Sequence, residues 1–193
     1  MSVRIVKYGS SVLRSPGDIG AVADDILSQR GAGDAFIVVV SAFEGRTTQL
    51  IEEARRLGLA EDSVEFAVHV GTGEYEAAAA LLRALTARRA DAMVASPAQL
   101  GFVARGARAD GEPESLDCAA VRRLLRTSPA ILTPGYSAVD AHGQPILLGR
   151  GGSDLSAVHI GAHLGARSVR LIKDVDAVYD PDPNQYTDAV RPP

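Results

Sequence analysis

The chain has no tryptophan, one cysteine and few aromatic side chains, 5% of 193 residues. The single cysteine, Cys118, excludes an internal disulfide framework and fits a reducing compartment. Long hydrophobic runs are missing too, since apolar stretches such as FIVVV at 36–40 are far too short to span a bilayer. The opening MSVRIVKYG enters a strand pattern directly, without the apolar segment of a signal peptide. Nor is there an excess of positive charge. Twenty Lys and Arg against 24 Asp and Glu leave a net −4, whereas nucleic acid and acidic membranes both reward clustered cations. These absences lead us to expect a soluble cytoplasmic protein with neither nucleic acid nor membrane as partner.

What remains is ordinary globular composition, 46% hydrophobic and 23% charged. Strand-like runs alternate with helical ones. VRIVK (3–7) and AFIVVVS (35–41) are β-branched and apolar, as strands buried on both faces of a parallel sheet tend to be. Helical periodicity covers 16–29, 47–57, 63–89, 116–125 and 154–164. Further strands are expected at DAMVA (91–95), PAILT (129–133) and SVRLIK (168–173), with a hairpin over 136–148 turning at His142-Gly143. The alternation predicts an α/β fold with a mostly parallel sheet covered on both faces.

In such sheets ligands gather where strands end and helices begin, because the first helical N–H groups are unpaired and carry partial positive charge. Four junctions carry unusual residues. In KYGSS (7–11), Lys7 beside Gly9 and Ser10 can set an ammonium against phosphate oxygens. In SAFEGRTTQL (41–50), Thr47 and Thr48 stand at a helix start, one of them as the expected N-cap. In GTGEYE (71–76), two glycines inside a helical stretch predict a break or a close approach of ligand, with Glu74 beside it facing an ammonium or hydroxyl group. In GRGGSD (149–154), Arg150 offers a planar fork for a carboxylate, and Asp154 a carboxylate that takes an amino group or helps orient the reacting groups. KDVDAVYDPDP (173–183) follows one helix and one strand later. Cys118 has no partnered histidine. His159 and His163 lie four apart on one helix but lack a third ligand, so no metal site is expected.

Each stretch alone is weak. In order, KYGSSV, VVVSAFEGRTTQL, GEYEAAAALL, LGRGGSDLSA and LIKDVDAVYDPDP resemble the amino-acid kinase superfamily, and within it the catalytic domain of aspartokinases. The resemblance runs from residue 3 to about 183. It implies a three-layer α/β/α sandwich and ATP-dependent phosphorylation of a carboxylate, that of the aspartate side chain in aspartokinases, giving an acyl phosphate. It further implies catalytic roles for Lys7 and Asp154, with Asp154 also holding the substrate's amino group. Thr47, Glu74, Arg150, Gly152 and Ser153 would contact the amino acid, Arg150 through its α-carboxylate. Gly9, Ser10, Lys173, Asp174, Tyr179 and Asp182 would lie on the nucleotide side, with Mg²⁺ carried in by ATP. The expected partners are the amino acid, ATP, and a second copy or second subunit.

Several positions depart from the family pattern. In KYGSSV either Ser10 replaces a glycine usual in the aspartokinase loop or the loop has shifted by one residue, and GSSVL also resembles glutamate 5-kinase. Thr is usual where Lys173 stands and a basic residue where Asn184 stands, and VARG (103–106) replaces an ITDG-like stretch. Residues 1–193 read as one amino-acid kinase-like domain without the family's following helix and strand and without an ACT regulatory domain. On that reading the nucleotide side is open and end-product feedback is absent. A degenerate relative that binds amino acid or nucleotide as a partner subunit is the alternative.

Overall fold

The computed structural model describes residues 2–29 and 34–174. Along the chain these form β1 (Ser2–Tyr8), α1 (Ile19–Gln29), β2 (Asp34–Val40), α2 (Arg46–Arg56), α3 (Val64–Ala87) and β3 (Met93–Val94). There follow α4 (Pro97–Leu100), β4 (Val103–Ala107), β5 (Asp110–Ser115), α5 (Cys118–Thr127), β6 (Ala130–Pro134), β7 (Ser137–Val139), β8 (Pro145–Leu147), α6 (Gly152–Leu164) and β9 (Ser168–Ile172). None of these helices is long and apolar enough to cross a membrane.

Five strands form a parallel sheet in the order β3-β6-β2-β1-β9. The period-2 alternation of a strand explains its doubly apolar sequences. Ile5, Ile37, Val39 and Ile131 face one layer, where Ala157, Ile160 and Leu164 of α6 and Val121 and Leu125 of α5 cover them. Val6, Val38, Val40 and Leu132 face the other, against Val22 and Ile26 of α1 and Ala77, Leu81 and Leu85 of α3. Each fully buried aliphatic side chain stabilises the fold by roughly 1.5–3 kcal/mol, so this double cover makes the sheet the rigid platform. The result is the expected three-layer α/β/α sandwich.

Two parts of the chain differ from expectation. The segment 103–115 had no assigned strands, yet β4 and β5 pair antiparallel and join β7 and β8 in a second sheet of order β5-β4-β7-β8. VARGA and DGEPES are polar and contain glycine and proline, so their pairing comes from the neighbouring hairpin rather than from strand propensity. That neighbouring hairpin turns where expected, with Gly143 at φ +77°. In α3, Gly71 and Gly73 produce no break. A Cβ on Gly73 would lie 3.0 Å from both Ala42 Cβ and Leu50 Cδ1, so the close approach is that of protein and not of ligand.

Backbone hydrogen bonds stitch the carboxyl edge of the sheet. Gly9 N–H donates to Ile172 C=O at 3.2 Å, Ser41 N–H to Tyr8 C=O at 3.1 Å and Gly135 N–H to Val40 C=O at 2.9 Å. The loops after β1, β2 and β6 are thereby held beside the loop that starts α6. Contact there is tight, since a Cβ on Gly135 would stand 2.7 Å from Ser153 Cβ and 3.0 Å from its Cα. Gly135→Ala should therefore push the start of α6 off the sheet edge and cost about 1–3 kcal/mol, as overpacking does. Thermal denaturation checks this, and an unchanged midpoint would show that α6 gives way freely.

Candidate active site

One cleft of about 630 Å³ opens at this edge. Its wall includes Lys7, Ser10, Thr47, Glu74, Arg150, Gly152, Ser153 and Asp154, drawn from the four junctions. Residues far apart in sequence meet because parallel strands send all their following loops to one end of the sheet.

Lys7 is the next-to-last residue of β1 and only 6% exposed. Its ammonium lies 2.6 Å from Asp154 Oδ1, while Lys173 Nζ lies 2.5 Å from Asp154 Oδ2. The register explains the meeting. Lys7 pairs with Leu171 and Tyr8 with Ile172, so Lys173 leaves the sheet one residue beyond the end of β1. Asp154 enters from the first turn of α6. Burial pushes the Asp154 carboxyl up, but hydrogen bonds and charge from Lys173 and Lys7 outweigh it and hold the group below the usual carboxylate value. Gly9 permits the arrangement, since a Cβ there would come within 2.9 Å of Lys7 Nζ.

Glu74 is the opposite case. It is 2% exposed on α3, and Oε1 accepts the Ala42 N–H at 3.3 Å, while Oε2 is buried without a partner among the described residues. Burial raises its pKa to about 7, against the smaller opposing effect of backbone hydrogen bonds. A donor or cation arriving in the cleft would satisfy the orphaned oxygen. Arg150 is exposed and makes no ion pair among the described residues. It follows Gly149 at φ +68° and precedes Gly151 at φ +75°, the left-handed residue that caps α6. Neither threonine after β2 is an N-cap. Gly45, at φ +74°, takes that position without a side-chain bond, leaving Thr47 and Thr48 on the cleft wall.

The nucleotide-side residues are less uniformly placed. Ser10 lines the cleft, Gly9 lies under Lys7, and Lys173 joins through Asp154. Asp174 is exposed just past β9 and is not part of the wall. Tyr179 and Asp182 lie outside the described residues. No cluster of three His, Cys, Asp or Glu side chains among the described residues is arranged to hold a metal ion. Wall residues that escaped the sequence reading include Ala42, whose N–H meets Glu74, and Asp110 and Tyr136. Asp110 sits in a hairpin that carries no strand pattern, and a tyrosine after PG reads as an ordinary turn residue.

A model of the amino acid kinase family matches residues 2–192. The aspartate kinase of Pseudomonas fluorescens (strain SBW25) is 32% identical over 193 residues, covering 99% of this chain and 47% of that protein. The aspartokinase of Helicobacter pylori (strain J99) is 32% identical over 179 residues, 93% of this chain and 44% of its own length. The chain thus spans about half the length of the curated relatives it matches. Among solved structures, E. coli aspartokinase III in complex with aspartate and ADP aligns with a TM-score of 0.79 at 21% identity, covering 98% of this chain and 53% of that one. An isopentenyl phosphate kinase aligns at 0.72 and 19% identity, covering 97% and 78%. At such identities these two likenesses establish the shared fold.

The raised pKa of Glu74 has a consequence for stability. Below about pH 4.5 the carboxyl is protonated in folded and unfolded chains alike and costs nothing. As pH rises towards 7 the unfolded chain ionises first, so folding loses up to about 3 kcal/mol, all of it lost above pH 7. Glu74→Gln should melt at the same temperature as the parent near pH 4.5 and several degrees higher at pH 8. A difference that does not change with pH would show that Glu74 ionises freely.

Proposed function

Because the chain belongs to the amino acid kinase family, we propose that this cleft transfers the γ-phosphoryl group of ATP to a carboxylate of an amino acid, L-aspartate first among the candidates. The observation that carries the reading is the pairing of Asp154 with both Lys7 and Lys173 in the cleft where Arg150 and Glu74 also meet. Aspartate is favoured because the curated relatives at about a third identity are aspartate kinases.

The reaction needs positioning and charge rather than proton transfer. A substrate carboxylate oxygen forms the new bond to phosphorus as the bond from phosphorus to the bridging oxygen breaks, and ADP leaves with that electron pair. The nucleophile is already an anion, so no general base is required. The difficulty is bringing two anions together, which the site meets with fixed cations in a partly dry cleft. Lys7, held at the end of a buried strand, faces the transferring group. Asp154 is a positioning residue that holds Lys7 and Lys173 apart at set distances. The resemblance also gives Asp154 the substrate's amino group, and its ion pairs with Lys7 and Lys173 favour the positioning role. Arg150 binds the α-carboxylate and the orphaned Glu74 oxygen takes the ammonium. The start of α6 carries partial positive charge towards the phosphates, although Gly152, Asp154 and Leu155 N–H already donate to Gly149 and Gly151 C=O. Mg²⁺, carried by the nucleotide, would add charge neutralisation at the phosphates.

Incubation with ATP, Mg²⁺ and a panel of amino acids in the presence of hydroxylamine traps an acyl phosphate as the hydroxamate. A product with aspartate is expected. Binding of amino acid and nucleotide without product would favour a non-catalytic partner subunit. Arg150→Ala should weaken aspartate binding tenfold or more while leaving a non-hydrolysable ATP analogue unaffected in calorimetry, because a charge-assisted bidentate pair is lost. Equal losses for both ligands would place Arg150 on the phosphates.

The two lysines should separate kinetically. Lys7→Ala should lower kcat by roughly 10²–10³-fold with little change in KM, as expected for a cation that matters most in the transition state. Lys173→Thr should weaken the ATP analogue about tenfold, because Lys173 stands where the phosphates would lie. A neutral Lys173→Thr would leave Lys173 as nothing more than a counter-ion to Asp154.

A further inference from the structure

Tyr136 has φ +61°, one of two non-glycine residues in the left-handed region among the described residues. The N–H of Ser137 donates to the Gly135 C=O at 2.7 Å, closing a three-residue turn around it. A three-residue turn with positive φ at its centre is the rare, strained form. The neighbours hold it in place. Tyr136 C=O accepts from Leu148 N–H at 2.8 Å, and a Cβ on Gly152 would lie 2.9 Å from Tyr136 Cδ2 and 3.2 Å from its Cα. The turn is thus wedged between β8 and the first turn of α6. Such strain persists only where surrounding structure enforces it, and it concentrates at ligand sites.

The ring enters the wall of the cleft with Glu74, Asp110, Gly149 and Arg150. Its hydroxyl makes no hydrogen bond among the described residues. Burial first, then the charges of Glu74 and Asp110, keep the phenol protonated. It is therefore a fixed donor in a pocket whose neighbouring carboxylates are acceptors. Asp110 lies against Gly149, the neighbour of Arg150 in sequence, with Oδ1 where a Cβ on that glycine would project, and Tyr136 lines the same cleft and packs against Gly152.

We propose that Tyr136 is a specificity-determining residue, whose hydroxyl donates to the same substrate carboxylate that Arg150 binds. This rests on the amino-acid kinase reading above. Arg150 is exposed and carried between two left-handed glycines, so by itself it fixes the direction of a carboxylate poorly. A rigid second donor would set that carboxylate's orientation and, with it, the reach of the acceptor carboxylate towards Lys7. Asp110 on the same wall repels a carboxylate that is not held by both donors, which sharpens selection for the correctly placed acid.

Tyr136→Phe removes the hydroxyl alone and keeps the ring and the turn. Aspartate binding by the parent protein is measured first by calorimetry, then KM, kcat and affinity for a non-hydrolysable ATP analogue are compared in the variant. The expected result is an aspartate KM raised about tenfold or more, kcat within threefold, and unchanged analogue binding and melting temperature. An unchanged KM would overturn the proposal and leave the ring as packing, as would equal losses for both ligands. A parent protein that binds the ATP analogue but no amino acid of the panel would overturn the amino-acid reading itself, and this inference with it.

Discussion

Asp154 between Lys7 and Lys173 is the contact on which the rest of the site depends. Three ionised groups are brought together at the end of a buried strand, and Lys7 is nearly inaccessible to water. Removing charges from water is costly, and the geometry persists because one carboxylate serves two ammonium groups at close range. The arrangement leaves a net positive charge at the carboxyl edge of the sheet. A phosphate-handling site needs that sign of charge, held in place before the ligand arrives. The stitched loops of β1, β2 and β6 and the glycines at 9, 135 and 152 are the means by which the chain allows this approach.

The opposite wall has the complementary character. Glu74 is buried with one oxygen unpaired, Tyr136 is held in a strained turn, and Thr47 and Thr48 are spared from capping duty. Glu74 and Tyr136 each depart from a usual local preference. A buried carboxyl without a partner weakens the folded state at neutral pH, and a tyrosine at positive φ costs stability a glycine would spare. These exceptions cluster in one cleft, beside a sheet whose two faces are covered by regular aliphatic packing. The regularly packed parallel core is what can carry such local cost at the proposed site.

Much of this was legible in the amino-acid order. The doubly apolar strands and amphipathic helices follow from local periodicity, so the three-layer sandwich could be read without coordinates. Lys7, Thr47, Glu74, Arg150 and Asp154 were legible as candidates because local chemistry there is out of place for a plain connection, and it was the order of the five stretches, through the family resemblance, that gave them roles. Tertiary structure decided the rest. The polar β4–β5 hairpin joins the second sheet beside β7, and Asp110 enters the site with it. Gly71 and Gly73 read as a break but serve close packing of α3, since a helical pattern does not say what lies across from a missing side chain. The partners of Asp154 depend on the register between β1 and β9, which are separated by most of the chain. Left-handed Tyr136 is fixed by contacts from β8 and α6 that nothing in its own neighbourhood predicts. Periodicity and motif are properties of neighbours along the chain, whereas charge pairing, burial and strain are set by neighbours in space.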